Sequence, residues 1–224
     1  IEKDHGRLVS YQSKEKKLEM QTIDYTIIPQ SNEMKVKYNL TLGGYEAFEV
    51  RNYIFNSGED EEIKFIKSSN PDWLIENVNI LNKDSVYESL KISYDAVVSN
   101  INQTGDLMFF NPFFSRRYKE NPFKSSSRIY PIDFVAAIDD INLITIKIPV
   151  GYKLEELPKA GVFVLPNKAG KYSYIVETEN DVIKIRSQLT ISKSFFEPNE
   201  YPNLRELYNL VIEKQAQQIV LRKL

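Results

Sequence analysis

The sequence contains no cysteine and a single histidine. The lack of cysteine excludes disulfides, thiolate metal sites and a cysteine nucleophile in this chain. The one histidine, His5, lies in a polar stretch near the N-terminus, so a Ser-His-Asp triad or a multi-histidine zinc site is not expected. No nucleotide-binding or nucleophile motif occurs either. We therefore predict no catalytic, cofactor-binding or metal-ligating residue and no cofactor.

Long apolar runs and an excess of one charge are also missing. No run approaches the ~20 residues that a membrane helix needs, and the chain opens IEKDHGRL without a signal peptide. The 29 basic and 31 acidic residues give a net charge of −2. We therefore expect no membrane insertion and no binding to nucleic acid. Because a natural chain starts with methionine, we expect this one to be a piece of a longer protein.

Glycine is scarce, with 8 residues in 224, whereas aromatic residues make up 12%. Tyr and Phe favour strands, which predicts a β-rich chain. Residues 34–42 alternate apolar and polar, as in a half-buried strand. Residues 18–28 alternate in two phases, which a bulge near Gln21 and Thr22 would reconcile. Further strands are predicted at 73–81, 86–98, 129–134, 143–148, 162–165, 172–178 and 183–191.

Two regions have helical spacing instead. The period changes after Gly44, which predicts a helical insertion near 45–68. From about Pro202 to near Gln218, a second helix is predicted, with an apolar stripe that packs on a sheet face. The stripe consists of Leu204, Leu207, Tyr208 and Val211.

These elements predict a mainly β fold of the α+β class, built from two antiparallel, sandwich-like halves. We place the boundary at residue 111. One β-rich domain then covers 1–110 with the helical insertion, and a second covers 111–224 and ends in the C-terminal helix. Residues 111–127 read NPFFSRRYKENPFKSSS, with two Asn-Pro steps, and are predicted to be a linker or a long ordered loop.

The segment 111–130 also mixes basic and aromatic residues, and Arg and aromatic side chains are enriched at interfaces. We predict an interaction surface there. Its residues are Arg116, Arg117, Tyr118, Phe123, Lys124 and Arg128. The alternative is a loop that folds its aromatic side chains inward and leaves its charges in water.

Paired carboxylates are the other candidates for chemistry, because two acids can hydrolyse a glycosidic bond. The candidate groups are Asp139 with Asp140, Glu155 with Glu156, Glu197 with Glu200, and the run 59–62. Adjacent acids on a strand point to opposite faces, so we expect exposed, solvated roles for them. Residues 139–142 lack the spacing of a calcium-binding loop, and we expect an ordinary turn there.

Five motifs follow one another in the second half: NPFK at 121–124, RIYPIDF at 128–134, IPVGYKLEELP at 148–158, EYPNLR at 200–205 and IVLRK at 219–223. Their order resembles the C-terminal region of Bacteroidetes transglutaminase-like proteins, of the DUF3857/DUF3858 type. The first half fits through GGYEA at 43–47 and through Arg51. The resemblance implies an exported or lipid-anchored protein with a papain-like transglutaminase core and β-rich accessory domains.

The family's catalytic Cys-His-Asp has no counterpart in this chain. The resemblance therefore implies a non-catalytic accessory region downstream of the core, located in the periplasm or at the cell surface. The implied partner is the transglutaminase-like core, which this region would pack on or position. Two alternatives remain open. One is a carbohydrate- or peptidoglycan-binding surface that uses Trp73 and the aromatic residues of 111–130, and the other is a hydrolase with an unrecognised carboxylate pair.

Overall fold

The computed structural model describes residues 15–57, 64, 66–68, 70–99, 101–114 and 118–224. The strands are β1 (Lys17–Ile28), β2 (Glu33–Gly43), β3 (Trp73–Leu81), β4 (Leu90–Val98), β5 (Asn102–Thr104), β6 (Leu107–Phe110), β7 (Ile132–Asp133), β8 (Ile138–Lys147), β9 (Tyr152–Glu156), β10 (Gly161–Val164), β11 (Gly170–Glu179), β12 (Val182–Ile191), β13 (Phe195–Phe196) and β14 (Ile219–Lys223). Helix α1 spans Gly44–Ser57, helix α2 spans Tyr201–Ala216, and short 3-10 turns lie at Pro166–Lys168 and Pro198–Glu200. Residues 64 and 66–68 are also helical.

The main sheet has eight strands in the order β10-β11-β12-β8-β1-β2-β4-β3. Its neighbours are antiparallel except β1 and β8, which run parallel. The predicted mainly β, mostly antiparallel fold with a C-terminal helix is confirmed. The parallel pair was not predicted, because alternation shows which face a residue occupies but not which strand lies beside it.

The main sheet continues across the predicted boundary at residue 111. Its strands β1 to β4 precede that residue, and β8 and β10 to β12 follow it. Hydrogen bonds between β1 and β8 therefore join the two halves of the chain. The independence of domains 1–110 and 111–224 stays a prediction.

A smaller sheet has the order β5-β6-β14-β9, and β7 pairs with β13. After α2 the chain returns as β14, which pairs with both β6 and β9. The backbone N–H of Lys223 donates to Asp106 O, and that of Leu224 donates to Gly151 O, both at 2.8 Å. The C-terminal end of the chain is thus a structural part of this sheet.

Strand β1 pairs with β2 without a register shift, so the predicted bulge near Gln21 and Thr22 is wrong. The two phases have another cause. Ile23 lies on the buried face with Gln21, whereas Leu18 lies on the opposite face against Gly43. The face of β1 that carries Gln21 and Ile23, together with the same side of the neighbouring strands, is here called the covered face. Along β1 this face is polar at Gln21 and apolar from Ile23 onward.

Several sequence predictions differ from the structure in their bounds. The strand predicted at 129–134 is reduced to β7, and β4 begins at Leu90 instead of Val86. Residues 139–142 lie inside β8 and form no turn. The sequence of 139–142 did not predict a strand because Asp140 and Asn142 occupy the covered face of β8, where apolar residues would be expected.

One end of the covered face is aromatic. The rings of Tyr38 and Tyr94 stack at 4.6 Å between centroids, and Trp73 meets Tyr38 edge-on at 6.4 Å. Trp73 is 6% exposed. The alternative prediction of a glycan-binding surface that uses Trp73 is therefore wrong, because this ring belongs to the core.

Helix α2 packs on β11 of the main sheet. Its four stripe residues are buried, which confirms the predicted packing role. Leu204 and Val211 are 0% exposed, Leu207 is 2% exposed and Tyr208 is 4% exposed.

Candidate functional site

At the end of the covered face away from Trp73, a polar row crosses four strands. The pairing register places Gln21 opposite Asn142, Asn142 opposite Ser187, and Ser187 opposite Tyr174. These four residues, here called the polar row, are all buried. Buried polar groups normally have hydrogen-bond partners, so the contacts of this row show what holds it in place.

A pair of carboxylates lies beside the polar row, where Asp140 on β8 is opposite Glu19 on β1. Asn142 Nδ2 donates to Asp140 Oδ1 at 3.0 Å, and Gln21 Nε2 donates to Glu19 Oε1 at 2.6 Å. The hydroxyl of Tyr118 donates to Asp140 Oδ2 at 3.0 Å. Each carboxylate is thus bound by an amide of the polar row, and Asp140 also holds Tyr118.

The environment of Asp140 raises its pKa to about 7. Burial is the main cause and the nearby Glu19 carboxylate adds to it, whereas the hydrogen bonds from Tyr118 and Asn142 lower the pKa. On helix α1, burial also raises the pKa of Glu46, with Glu19 as a further cause. The carboxyl groups of Glu19, Glu46 and Asp140 therefore influence one another. Among the described residues, no group of three or more acids, histidines or cysteines is arranged so that it could hold a metal ion.

Burial and the negative charge of Asp140 raise the pKa of Tyr118 above its usual range. Tyr118 is therefore a neutral hydrogen-bond donor at any physiological pH. Its backbone N–H donates to Gln215 Oε1 at 2.9 Å, and Gln215 Nε2 donates to Ser187 Oγ at 3.4 Å. This chain of contacts connects the segment 111–130, helix α2 and the polar row.

Two asparagines fix the described part of the segment 111–130 on helix α2. Asn111 Nδ2 donates to Gln215 O at 2.7 Å, and Asn121 Nδ2 donates to Arg205 O at 2.9 Å. In return, Arg205 Nε donates to Phe123 O at 3.0 Å. Both asparagines precede the prolines singled out in the sequence, and their side chains order the backbone around them.

Most aromatic side chains of this segment point inward. Phe113, Phe114 and Phe123 are buried, and Tyr118 is partly buried. The Phe123 ring meets Tyr208 edge-on at 5.1 Å between centroids. This arrangement agrees with the alternative of a loop that folds its aromatic side chains into the protein.

The basic members of the predicted interaction surface have different positions. Lys124 and Arg128 are exposed, and Lys124 forms an ion pair with Glu120 at 3.0 Å. Arg116 and Arg117 lie outside the described residues. The interaction surface stays a prediction, with Lys124 and Arg128 as its exposed described residues.

The remaining carboxylate candidates have structural partners. Arg222 donates to both carboxylate oxygens of Glu155, at 3.0 and 2.8 Å. Glu197 and Glu200 form a reciprocal cap on the 3-10 turn at Pro198–Glu200, and Glu200 also pairs with Lys193. The run 59–62 lies outside the described residues.

Asp139 and Asp140 occupy opposite faces of β8, as predicted for adjacent acids. Asp139 Oδ1 accepts hydrogen bonds from Gln188 at 2.8 Å and from Thr190 at 3.1 Å. Asp140 is covered, which differs from the solvated role expected of it. Glu19 and Gln21 were missed, although the change of phase in residues 18–28 was the signal of a polar stretch on the core face.

The chain matches the model of DUF3858, a domain of unknown function with a solved structure, over residues 106–221. The match covers slightly more than half of the sequence, and the chain belongs to this family. It includes Tyr118, Asp140 and Gln215, whereas Glu19 and helix α1 precede it.

One solved structure with local similarity is that of a candidate protease from Parabacteroides distasonis, with 19% identity and a TM-score of 0.39. The similarity covers 44% of this chain and 19% of that one, so this chain spans only a small part of the other protein. No curated protein matches the chain. In the part of the chain that the structure describes, no helix is long and apolar enough to cross a membrane.

Proposed function

We propose that this chain is a non-catalytic accessory region of a longer, exported transglutaminase-like protein of Bacteroidetes, located in the periplasm or at the cell surface. Membership of DUF3858 over residues 106–221 is the observation that carries this proposal. The ordered motifs from 121 to 223 support the link to transglutaminase-like proteins. In this role the region packs on the catalytic core or positions it.

The hydrogen bonds of the buried polar side chains support a structural role. Tyr118 and Gln215 connect the segment 111–130 to helix α2 and the main sheet. These groups fix the segment 111–130 and helix α2 on the main sheet. A region of this kind can present a fixed surface to a neighbouring domain without carrying out chemistry itself.

The proposal is tested by separating this region from the rest of its protein. The gene should encode a Cys-His-Asp core upstream, and the purified core should bind this chain in calorimetry. We expect the double change Arg116→Ala and Arg117→Ala to weaken that binding without lowering the melting temperature. A gene without such a core would overturn the proposal, and binding unaffected by the double change would remove these two residues from the surface.

The pair Asp140 and Glu19 favours a second candidate, a hydrolase that uses two carboxyl groups. Such enzymes need one carboxyl group that keeps its proton near neutral pH and a second that is ionised. The raised pKa of Asp140 beside Glu19 fits this requirement. The hydroxyl of Tyr118 already occupies one oxygen of Asp140, which favours the structural role.

A turnover assay on peptide and glycan substrates separates the two candidates. We expect no turnover by the purified chain. Metal-free turnover that is lost in Asp140→Asn but kept in Glu155→Gln would establish the hydrolase instead. Glu155 is a suitable control because its carboxylate pairs with Arg222 on the smaller sheet, away from the polar row.

A further inference from the structure

An open groove of about 860 Å³ lies at the start of helix α1, on the face of the main sheet opposite the polar row. Leu18, Gly43 and Asp139 line it from the sheet. Helix α1 contributes Phe48, and the loop between β3 and β4 contributes Val86 to Ser89. The groove is thus formed by three separate parts of the fold.

The groove contains large apolar side chains that are exposed to solvent. Phe48 is 65% exposed, Val86 is 68% exposed and Tyr87 is 100% exposed. Single exposed apolar residues are common on proteins, but several around one concave site are typical of a binding surface. None of these three side chains is needed to fill the core.

The loop that presents Tyr87 is held in place by helix α1. Arg51 Nη2 donates to Asn82 O at 3.0 Å and to Glu88 O at 2.6 Å. Asn82 Nδ2 closes the loop by donating to Ser89 O at 2.9 Å. Because the loop is ordered in advance, little conformational entropy is lost when a ligand contacts Tyr87.

The opposite side of the groove depends on Gly44. Its φ is +55°, and a Cβ at this position would lie 2.0 Å from Lys16 O. Only glycine therefore allows α1 to start this close to β1. Gly44 and Arg51 belong to the first-half residues singled out in the sequence, and the proposed accessory function leaves both unexplained.

The charges around the groove select a basic ligand. Among the described residues, the groove is lined by the acids Glu15, Glu88 and Asp139 and by a single basic residue, Lys16. Carboxylates attract ammonium and guanidinium groups, and the faces of aromatic rings such as Tyr87 attract the same cations. An apolar groove with an acidic excess therefore complements a segment that alternates basic and apolar side chains.

We propose that this groove binds an extended polypeptide segment that combines lysine or arginine with apolar residues. The segment would place its apolar side chains against Phe48 and Val86 and its cationic groups between Tyr87 and the carboxylate of Glu88. This inference goes beyond the accessory role of the DUF3858 region and does not depend on it, because the groove precedes residue 106 apart from Asp139.

Fluorescence anisotropy with a fluorescein-labelled octapeptide of alternating lysine and leucine tests the proposal. The intact chain should bind this peptide saturably and should not bind the matched peptide with glutamate in place of lysine. Phe48→Ser and Tyr87→Ser should each weaken binding about tenfold, the effect of losing one well-placed contact. Tyr130→Ser is the matched control, since Tyr130 is 74% exposed and lies outside the groove.

The exposure of Phe48 and Tyr87 allows both variants to fold, which equal melting temperatures will show. Equal binding by Tyr87→Ser, Phe48→Ser and the intact chain would overturn the proposal, as would equal binding of the glutamate peptide. Binding of N-acetylglucosamine oligomers without binding of the lysine peptide would also overturn it and would identify a glycan site instead.

Discussion

The covered face of the main sheet has two unlike ends. Around β3 and β4 it is aromatic, with Trp73, Tyr38 and Tyr94 in mutual contact. Around β8 and β12 it is crossed by the polar row beside Asp140, with aliphatic side chains such as Ile144 and Ile185 buried next to it. The aromatic end stabilises the fold by removing apolar surface from water, whereas the polar end depends on the geometry of its hydrogen bonds.

The polar end also contains buried polar atoms without a hydrogen-bond partner. In the polar row, Gln21 Oε1, Asn142 Oδ1 and the Tyr174 hydroxyl have no hydrogen-bond partner among the described residues. An unsatisfied buried polar group costs about 1–3 kcal/mol. We therefore expect the aromatic end to contribute more to stability, and the polar end to determine the arrangement of helix α2 and the segment 111–130.

The largest effect is expected at the aromatic end. Trp73→Ala should lower the free energy of unfolding by about 3–5 kcal/mol, because it leaves a cavity beside the stacked rings of Tyr38 and Tyr94. Urea unfolding measures this change. Leu74→Ala, next in the chain but 69% exposed, is the control and should have little effect. A small loss in Trp73→Ala would show that the aromatic end is not the main stabilising region.

The contact between helix α2 and the main sheet should be nearly as sensitive. Leu207 is 2% exposed, and Leu207→Ala should cost about 2–5 kcal/mol in urea unfolding. Asn203→Ala, at an exposed position of the same helix, serves as its control. A loss below about 0.5 kcal/mol in Leu207→Ala would contradict the packing described for the stripe.

At the polar end, the expected effect depends on pH. The pKa of Asp140 is raised to about 7 in the folded protein, whereas an unfolded Asp has a pKa of about 3.9. The folded state binds this proton more tightly than the unfolded state does. Protonated Asp140 therefore stabilises the fold fully below about pH 4, and this stabilisation is lost as the pH rises to about 7. Asp140→Asn should remove this loss and be more stable than the original protein by about 2 kcal/mol at pH 8, after allowance for solvent screening.

Unfolding curves at pH 5 and pH 8 measure that difference. Asp139→Asn is the matched control, because Asp139 lies on the other face of β8. It should keep the pH dependence of the original protein. An unchanged pH dependence in Asp140→Asn would show that Asp140 is ionised throughout this range.

The smallest effect is expected for Tyr118→Phe. This change removes one hydrogen bond to Asp140 and should cost about 1 kcal/mol in urea unfolding. The bond lowers the pKa of Asp140, so its loss should move the pH transition to higher values. The shift can be measured by following the Asp140 carboxyl carbon by NMR. A transition that moves to lower pH would contradict this assignment.

The sequence predicted the elements that follow one pattern along their length. The alternation in residues 34–42 lies within β2, and the stripe from Leu204 to Val211 is buried in α2. Prediction from the sequence failed where polar residues occupy a buried face, as at Asp140 and Gln21. Hydrophobic periodicity carries no information on polar groups that are satisfied by distant residues such as Tyr118. The groove was not predicted, because its residues meet only through the tertiary fold.

The parallel pairing of β1 with β8 has a mechanical consequence. Its register runs without interruption from Lys17 opposite Ile138 to Thr26 opposite Lys147. The halves on either side of residue 111 are therefore linked by a hydrogen-bonded ladder as well as by the peptide chain. A single backbone break between them would leave one particle under native conditions and yield two fragments only after denaturation. Force applied along these strands would load the ladder in shear, so its hydrogen bonds would resist together.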